Sequence, residues 1–222
     1  MAERRPDRSG PTTTSRVVGE DWYGLDLSGR TASQVHHSGV DLTETTSDSG
    51  LTFDECAFFD CEFNASVHTG AAFVNCAFTG CSFFGARFVE CKFVGSKFDR
   101  CTYDQLVVER GDWSFTGLPA ADLHSASFSD VRMREADLNG ARFDGATVVG
   151  VDLSGAWLDK VNFERCDLRR SDLSTLDPAT VNLRSAIIGW DQAIVIATAM
   201  GLDVRPDSDT APAERPRRRA AR

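Results

Sequence analysis

Cysteine is the residue type in this chain that could most readily build a metal or redox centre. Zinc sites are typically formed by pairs separated by two residues, and the chain has no such pair. All seven cysteines are instead separated by multiples of five residues: Cys56, Cys61, Cys76, Cys81, Cys91, Cys101 and Cys166. We therefore expect buried, reduced thiols, with no metal and no cofactor. Their odd number and the lack of an apolar leader in residues 1–16 indicate a cytoplasmic protein.

The sequence gives little support for a catalytic site. No nucleophile or metal ligand lies at a meaningful spacing from any of the four histidines, His36, His37, His68 and His124. Glycines occur singly, so no phosphate-binding loop is present. Many aspartates precede a large apolar residue and should point into water, where nothing would raise their pKa for general acid catalysis. We predict that the protein is not an enzyme.

A five-residue repeat determines where these side chains can lie. From Phe53 to Ile188, 28 consecutive positions at a spacing of five are apolar or aromatic, except His68 and Pro178. This period matches neither the 3.6 residues of a helical turn nor the two-residue alternation of a strand. A repeat of fixed period indicates a solenoid, in which each unit packs on its neighbours.

Small residues predominate at the position two residues before the large one, and the intervening positions are mostly polar. A chain that turns inward every five residues describes a four-sided coil of about twenty residues, with the large residue on the axis. Successive coils would stack at the ~4.8 Å spacing of hydrogen-bonded strands. The repeat therefore predicts a four-sided β-solenoid over residues 17–188.

Three segments depart from the repeat. One extra residue separates Leu42 from Phe53, so a bulge or loop is expected in 43–50. Segment 110–119 keeps the frame but places Gly111 at a small position, and 177–180 contains a proline that lacks a backbone donor. Partner-contacting loops and loose packing both remain open for these segments.

Charge is unevenly distributed along the chain. The formal net charge is −9, yet segment 17–204 carries 28 acidic and 14 basic residues, a net charge of −14. Residues 1–16 and 205–222 are basic and lack periodic apolar residues, so we predict disordered tails there. The acidic folded part argues against direct nucleic-acid binding by the rod. No apolar run is long enough to span a membrane.

The period ends after Ile188, and segment 189–204 is predicted to form a short helix that caps the coil. Asp191 is the predicted N-cap and Gly201 the predicted C-terminal stop. The helix is apolar nearly all round, so one face can cover the open end while the rest stays exposed. We predict a homodimer through this end, with a monomeric cap as the alternative. The predicted contact residues are Trp190, Ile194, Val195, Ile196, Met200 and Leu202.

Acidic residues recur at the spacing of one coil in two predicted axial columns. The first contains Asp104, Asp144 and Glu164 and is interrupted by His124; the second contains Asp112, Asp152 and Asp172 and is interrupted by Arg132. About eight coils would form a rod ~38 Å long, with one net negative charge per ~2.7 Å against ~1.7 Å for duplex DNA. Two interpretations follow: the rod occupies a basic groove that binds DNA, or the acids only keep it soluble.

Segment Glu135–Ala156 contains Ala-Asp-Leu-Asn-Gly, Ala-Arg-Phe-Asp-Gly and Val-Asp-Leu-Ser-Gly. These motifs resemble the pentapeptide-repeat family, whose fold is a right-handed quadrilateral parallel β-helix. Segments Glu55–Phe58, His68–Cys76 and Asp191–Leu202 further resemble the MfpA/Qnr group of that family, and MfpA most of all. The resemblance covers residues 51–204 and implies an all-β fold with a short C-terminal α-helix.

This resemblance also implies a function. Members of the group mimic DNA, bind DNA gyrase (a type II topoisomerase) at its DNA-binding region, and dimerise through the C-terminal helix. They inhibit supercoiling or protect the enzyme from quinolones and other gyrase poisons. The basic tails are not part of the pattern, and no long inserted loop of the Qnr kind is present. Two alternatives remain open: a scaffold for another partner, and self-immunity to a gyrase-targeting natural product.

Overall fold

The computed structural model describes residues 10–205, which form a parallel β-solenoid followed by one short helix, α1 (Trp190–Ala199). This confirms the predicted fold class. The predicted N-terminal tail over residues 1–16 was wrong at its C-terminal end, because Ser15–Val18 already forms a strand that pairs with the next coil; most of both predicted tails, residues 1–9 and 206–222, lies outside the described residues. The strands are β1 (Ser15–Val18), β2 (Thr31–Ser33), β3 (Val35–Ser38), β4 (Thr46–Ser47), β5 (Thr52–Asp54), β6 (Ala57–Phe59), β7 (Val67–Thr69), β8 (Ala72–Val74), β9 (Ala77–Thr79), β10 (Arg87–Val89), β11 (Lys97–Asp99), β12 (Val107–Glu109), β13 (Ser127–Ser129) and β14 (Thr147–Val149).

Each coil has four sides, which we number in chain order. The first side pairs β2, β5 and β8, the second pairs β1, β3, β6, β9 and β11, and the fourth pairs β4, β7, β10, β12, β13 and β14. The third side is built from single parallel bridges, such as Asp21 to Asp41 and Asp41 to Glu62. At the corners the backbone takes positive φ, as at Glu135 (53°) and Gly140 (69°), and this turns the chain onto the next side.

The fourth side shows how long the rod is. Its ladder runs without a break from Asp26 to Ile187, through Thr46, Val67, Arg87, Val107, Ser127, Thr147 and Asp167. At the ~4.8 Å spacing of paired strands, the steps of this ladder span ~38 Å. The rod is therefore long enough to present extended columns of side chains.

The extra residue near the N-terminal end changes the register of the ladders. Asp26 pairs with Thr46, an offset of 20 residues, whereas Thr31 pairs with Thr52, an offset of 21. The additional residue therefore lies within 48–50, at a corner. Segment 110–119, by contrast, stays in register without a loop, since Lys92 pairs with Asp112.

The core consists of the large residue of each repeat with the small residues beside it. In the N-terminal coils the large residues are aromatic and stack from coil to coil: Phe58, Phe78 and Phe98 have ring centroids 4.9 and 4.8 Å apart. All seven cysteines are free thiols, six of them buried and Cys101 half-buried. Burial raises the pKa of Cys91 to about 11, so this thiol stays protonated and packs as a small apolar group.

Candidate partner-binding surfaces

In the structure, the residues of each predicted acidic column lie on successive coils, one above the other. Asp112 pairs with Arg132 and Arg132 with Asp152 in one ladder on the first side. On the third side, Asp104, His124, Asp144 and Glu164 follow one another beside the ladder that links Asp122, Arg142 and Asn162. The spacing of one coil therefore does align these side chains.

Arginines compensate the column on the first side. Arg132 lies 3.2 Å from Asp112, and Arg134 lies 2.5 Å from Asp152. Partial burial acts to raise the pKa of both aspartates, but hydrogen bonds from Ser114 and Ser154 and the nearby arginines outweigh it, so each pKa lies below its usual value. Both carboxylates stay charged at neutral pH, and each is paired with a cation.

The column on the third side is partly compensated as well. Arg142 contacts Asp122 at 3.1 Å and Asp144 at 3.3 Å. Glu164 lies 3.7 Å from Arg165 and 3.5 Å from Arg184. The side chains of Asp144 and Glu164 are only 18% and 21% exposed. In contrast, Asp104 is exposed and has only His124, 3.9 Å away, as an ionisable contact among the described residues.

Four further acids, which were not among the predicted columns, lie on the third side near the N-terminal end. Asp21, Asp41 and Glu62 are paired in sequence along one ladder, and Glu44 lies two residues beyond Leu42 on the same side. We call these four residues the N-terminal acidic ladder. Within residues 10–205, none of the four forms an ion pair with a basic side chain. Among the described residues, the carboxylates of this ladder therefore have no compensating cation.

Hydrogen bonds orient the N-terminal acidic ladder from within. Asp21 accepts the backbone N–H of Tyr23 at 2.9 Å, and Asp41 accepts that of Thr43 at 2.8 Å. A hydrogen bond to the Glu44 carboxylate raises the pKa of the exposed Tyr23 phenol. Asp41 and Glu62 are 21 residues apart because of the residue inserted at the corner, so a search at a spacing of twenty misses them. Separate frames before and after the insertion would have found the ladder.

Acidic residues are most in excess on the third side. Its outward positions hold three basic residues, Arg142, Arg165 and Arg184, against eight acidic ones, Asp21, Asp41, Glu44, Glu62, Asp104, Asp122, Asp144 and Glu164. The second side is nearly balanced, with Arg16, Lys97, Arg100 and Lys160 against Asp60, Asp99, Asp137, Asp159 and Asp177. The rod therefore has one distinctly acidic side.

The C-terminal helix differs from the prediction at its start. Gly189, in extended conformation, is the N-cap, and α1 begins at Trp190, so the prediction of Asp191 as N-cap was wrong. The reason is that Gln192, not Asp191, reaches back to the cap, where its Oε1 accepts the Gly189 N–H at 2.7 Å. Asp191 lies in the first turn, where a carboxylate favours the helix dipole. The predicted stop at Gly201 is confirmed: its φ is +84°, and the N–H of Leu202 reaches the Ala197 carbonyl at 3.0 Å.

The apolar residues of the C-terminal end divide between the coil and the solvent. Trp190 is 91% exposed, and Ile194, Val195, Met200 and Leu202 are also exposed. Ile196 is half-buried and packs against the core. Of the six residues predicted to contact a second copy, five therefore face solvent and one faces the coil.

Comparison with known proteins identifies the family. A family model described as Pentapeptide repeats matches eight copies, in residues 69–101, 120–155 and 149–175. The chain is a pentapeptide-repeat protein. No curated protein matches it.

Several solved structures are similar to this pentapeptide-repeat protein. Two are trypsin-treated variants of QnrB1, a plasmid-mediated fluoroquinolone resistance protein. One variant is 20% identical, covers 88% of this chain and 100% of its own, and has a TM-score of 0.67; the other is 21% identical, covers 87% and 99%, and has a TM-score of 0.51. HetL, from the cyanobacterium Nostoc sp. strain PCC 7120, is 19% identical, covers 80% and 87%, and has a TM-score of 0.48. At these identities the similarity to QnrB1 shows the fold alone, and none of the three is MfpA.

His68, which interrupts the apolar repeat, is a core residue of this pentapeptide-repeat protein. Its Nδ1 lies 2.9 Å from the Ser47 hydroxyl, and its ring stacks on Phe88 with centroids 5.6 Å apart. Burial lowers its pKa to about 4, so the ring is neutral at physiological pH. In the described part of the chain, no group of three or more His, Cys, Asp or Glu residues is arranged to hold a metal ion. No helix there is long and apolar enough to cross a bilayer.

Proposed function

We propose that the protein is a non-catalytic, cytoplasmic DNA mimic that binds DNA gyrase at its DNA-binding region. Binding would inhibit supercoiling, protect the enzyme from quinolones or other gyrase poisons, or do both. The observation that carries this proposal is the acidic third side, whose carboxylates repeat along a rod ~38 Å long at the strand spacing. A basic groove that binds phosphates attracts such a surface electrostatically.

The fold shared with QnrB1 supports the proposal, because that protein is itself described as a fluoroquinolone resistance protein. Within the rod, the N-terminal acidic ladder would make the strongest contribution, since none of its carboxylates pairs with an arginine of residues 10–205. Asp104 and Asp172 would also contribute, since neither forms an ion pair with an arginine among the described residues. The paired residues Asp112, Asp144, Asp152 and Glu164 stay in the proposed surface, but each must exchange an arginine for the partner's cation.

We also propose that two copies associate through the C-terminal end. The exposed face of α1 contains Trp190 and Ile194, and Met200 and Leu202 continue it beyond the helix. Large apolar side chains at the end of a rod favour burial against an identical surface through a twofold axis. The dimer would double the length over which acidic sides are presented.

A supercoiling assay with purified gyrase tests the main proposal. The variant Asp21→Lys/Glu44→Lys/Glu62→Lys reverses three charges of the N-terminal acidic ladder. We expect the concentration that half-inhibits supercoiling to rise at least ~10-fold, because steering and contact charges are both lost. The same assay with a quinolone separates inhibition from protection.

The matched control reverses three exposed charges on the nearly balanced second side, Asp60→Lys/Asp99→Lys/Asp159→Lys. It has the same net charge as the test variant, and we expect less than ~3-fold loss. Equal losses for both variants would show that net charge, and not the third side, determines binding. Wild-type protein that neither binds gyrase nor alters supercoiling would reject the function.

A second candidate is a non-catalytic scaffold for another protein, with self-immunity to a gyrase-targeting natural product as a related case. The arginine pairing of the C-terminal columns favours it, because paired charges are poor mimics of bare phosphates. Exposed aromatic residues such as Phe84 and Phe115 would suit a protein partner. Affinity purification that recovers a partner without DNA-binding activity, together with unchanged supercoiling, would support the scaffold.

A further inference from the structure

No coil follows the last coil of the solenoid, so its backbone carbonyls have no next coil to donate N–H groups to them. Elsewhere, the N–H of one residue pairs with the carbonyl 21 positions earlier, as Asp172 does with Val151 at 2.9 Å and Ile187 with Cys166 at 2.8 Å. By this rule the carbonyl of Ser171 should receive the backbone N–H of residue 192. The chain, however, leaves the coil at Gly189 and enters α1.

The side-chain amide of Gln192 supplies the hydrogen-bond donors that this open edge lacks. Its Nε2 donates to the Ser171 carbonyl at 2.7 Å and to the Leu168 carbonyl at 2.6 Å. Its Oε1 accepts the N–H of Gly189 at 2.7 Å. The residue is only 8% exposed, although it lies in the first turn of a terminal helix. Both ends of the amide are therefore satisfied, one by the coil and one by the helix cap.

This arrangement also determines how α1 lies on the rod. The amide ties the first turn of α1 to the last complete coil, and Ile196, one helical turn further, packs against the core. The opposite face, with Trp190 and Ile194, then points away from the coil. Without the amide, the contacts of Ile196 would hold the helix but would leave its rotation poorly defined.

We propose that Gln192 is the positioning residue of the C-terminal interface. Its side-chain amide takes the place of the missing coil, ends the solenoid, and holds α1 in the orientation that presents Trp190 to a second copy. This inference rests on the proposed dimer.

Two substitutions distinguish the role of the amide's donors from that of its acceptor. Gln192→Leu removes donors and acceptor with little change in size, whereas Gln192→Glu keeps the acceptor for Gly189 but removes both donors. We expect each variant to lower the hydrogen-exchange protection of α1 by at least ~10-fold, because the buried Ser171 carbonyl loses its donor and the Leu168 carbonyl keeps only the N–H of Ser171. We expect the dissociation constant of the dimer, from analytical ultracentrifugation, to rise by at least ~10-fold. Circular dichroism and exchange in residues 57–149 should stay unchanged, which a general loss of stability would not allow.

Gln105→Leu is the matched control, because Gln105 is exposed at a corner of the rod. It should leave both measurements at wild-type values. A Gln192→Leu protein with wild-type protection of α1 and a wild-type dissociation constant would overturn the inference. A wild-type chain that stays monomeric at every concentration would overturn it together with the proposed dimer. Supercoiling assays on that same monomer would still decide gyrase binding, so the failures are distinguishable.

Discussion

The N-terminal and C-terminal halves of the rod have the same backbone but differ in core and surface. Up to Tyr103 the axis is filled with stacked aromatic rings, for example Phe73 and Phe93 at 4.7 Å. Beyond Trp113 the axis of the described rod contains mainly leucine, and its phenylalanines are fewer, although Phe143 still stacks on Phe163 at 5.3 Å. Among the described residues, every ion pair involves positions from Arg87 onward.

This difference shows that the coil tolerates two kinds of core and two kinds of surface. The five-residue period only requires a large apolar group on the axis, and aromatic or aliphatic residues both satisfy it. Surface charge is then free to vary. Among the described residues, no carboxylate before Glu90 forms an ion pair, whereas Asp122, Asp144 and Asp152 in the C-terminal half pair with arginines. A partner that binds carboxylates without an ion pair would therefore bind the N-terminal half more strongly.

The largest expected effect compares one core position in each half of the second side. Phe78→Ala should lower the free energy of unfolding by ~3–5 kcal/mol, through lost burial and lost contacts with Phe58 and Phe98. Leu138→Ala, on the same side further along, should cost ~2–4 kcal/mol. Urea unfolding measures both. A larger loss for Leu138→Ala would contradict the view that stacked rings stabilise the N-terminal half more strongly.

Between pH ~6.5 and ~5, above the range in which aspartates titrate, the pH dependence of stability should arise mainly in the N-terminal half. His68 has a pKa of about 4 when folded, against ~6.5 in an unfolded chain. As pH falls from ~6.5 to ~4, only the unfolded state takes up the proton, so the free energy of unfolding should decrease by up to ~3 kcal/mol. Above ~6.5 the residue contributes no pH dependence.

Hydrogen exchange at pH 7 and pH 5 measures this effect region by region. Protection should fall around β4, β7 and β10 and remain in the coils near Phe143. The control His68→Phe restores the apolar repeat and should remove most of the pH dependence. An equal loss in both halves would show that the buried histidine is not its source.

The smallest effect tests the ion pairs of the C-terminal half. Arg142→Gln removes contacts with Asp122 and Asp144, yet the arginine is 53% exposed, so we expect a loss of at most ~1 kcal/mol. The loss should shrink in 1 M NaCl, because salt screens exposed charges. Arg100→Gln, which breaks a pair with Asp99 at the open surface, should have no measurable effect. An Arg142→Gln loss that is independent of salt would mean that packing, and not charge, is involved.

Much of the fold was predictable because a burial pattern repeated at every fifth residue has few structural solutions. The positions of Phe53, Phe88 and Leu168 on the axis follow directly from that period. The role of Gln192 was not predictable, because it depends on two carbonyls that lie 21 and 24 residues earlier in the chain. The first residue of α1 was displaced from the prediction for the same reason.

The sequence by itself determined the solenoid, the inward side chains and the total acidity, since these depend on local period and composition. The tertiary structure decided which carboxylates pair with a cation and which do not. That depends on which side chains meet across coils 20 residues apart, and one residue inserted within 48–50 shifts the register to 21. The acidic columns seen in the sequence, such as Asp112 and Asp152, have arginine partners, whereas the shifted ladder of Asp21, Asp41 and Glu62 has none among the described residues. Charge compensation is a property of neighbours in space, and a linear period does not encode it.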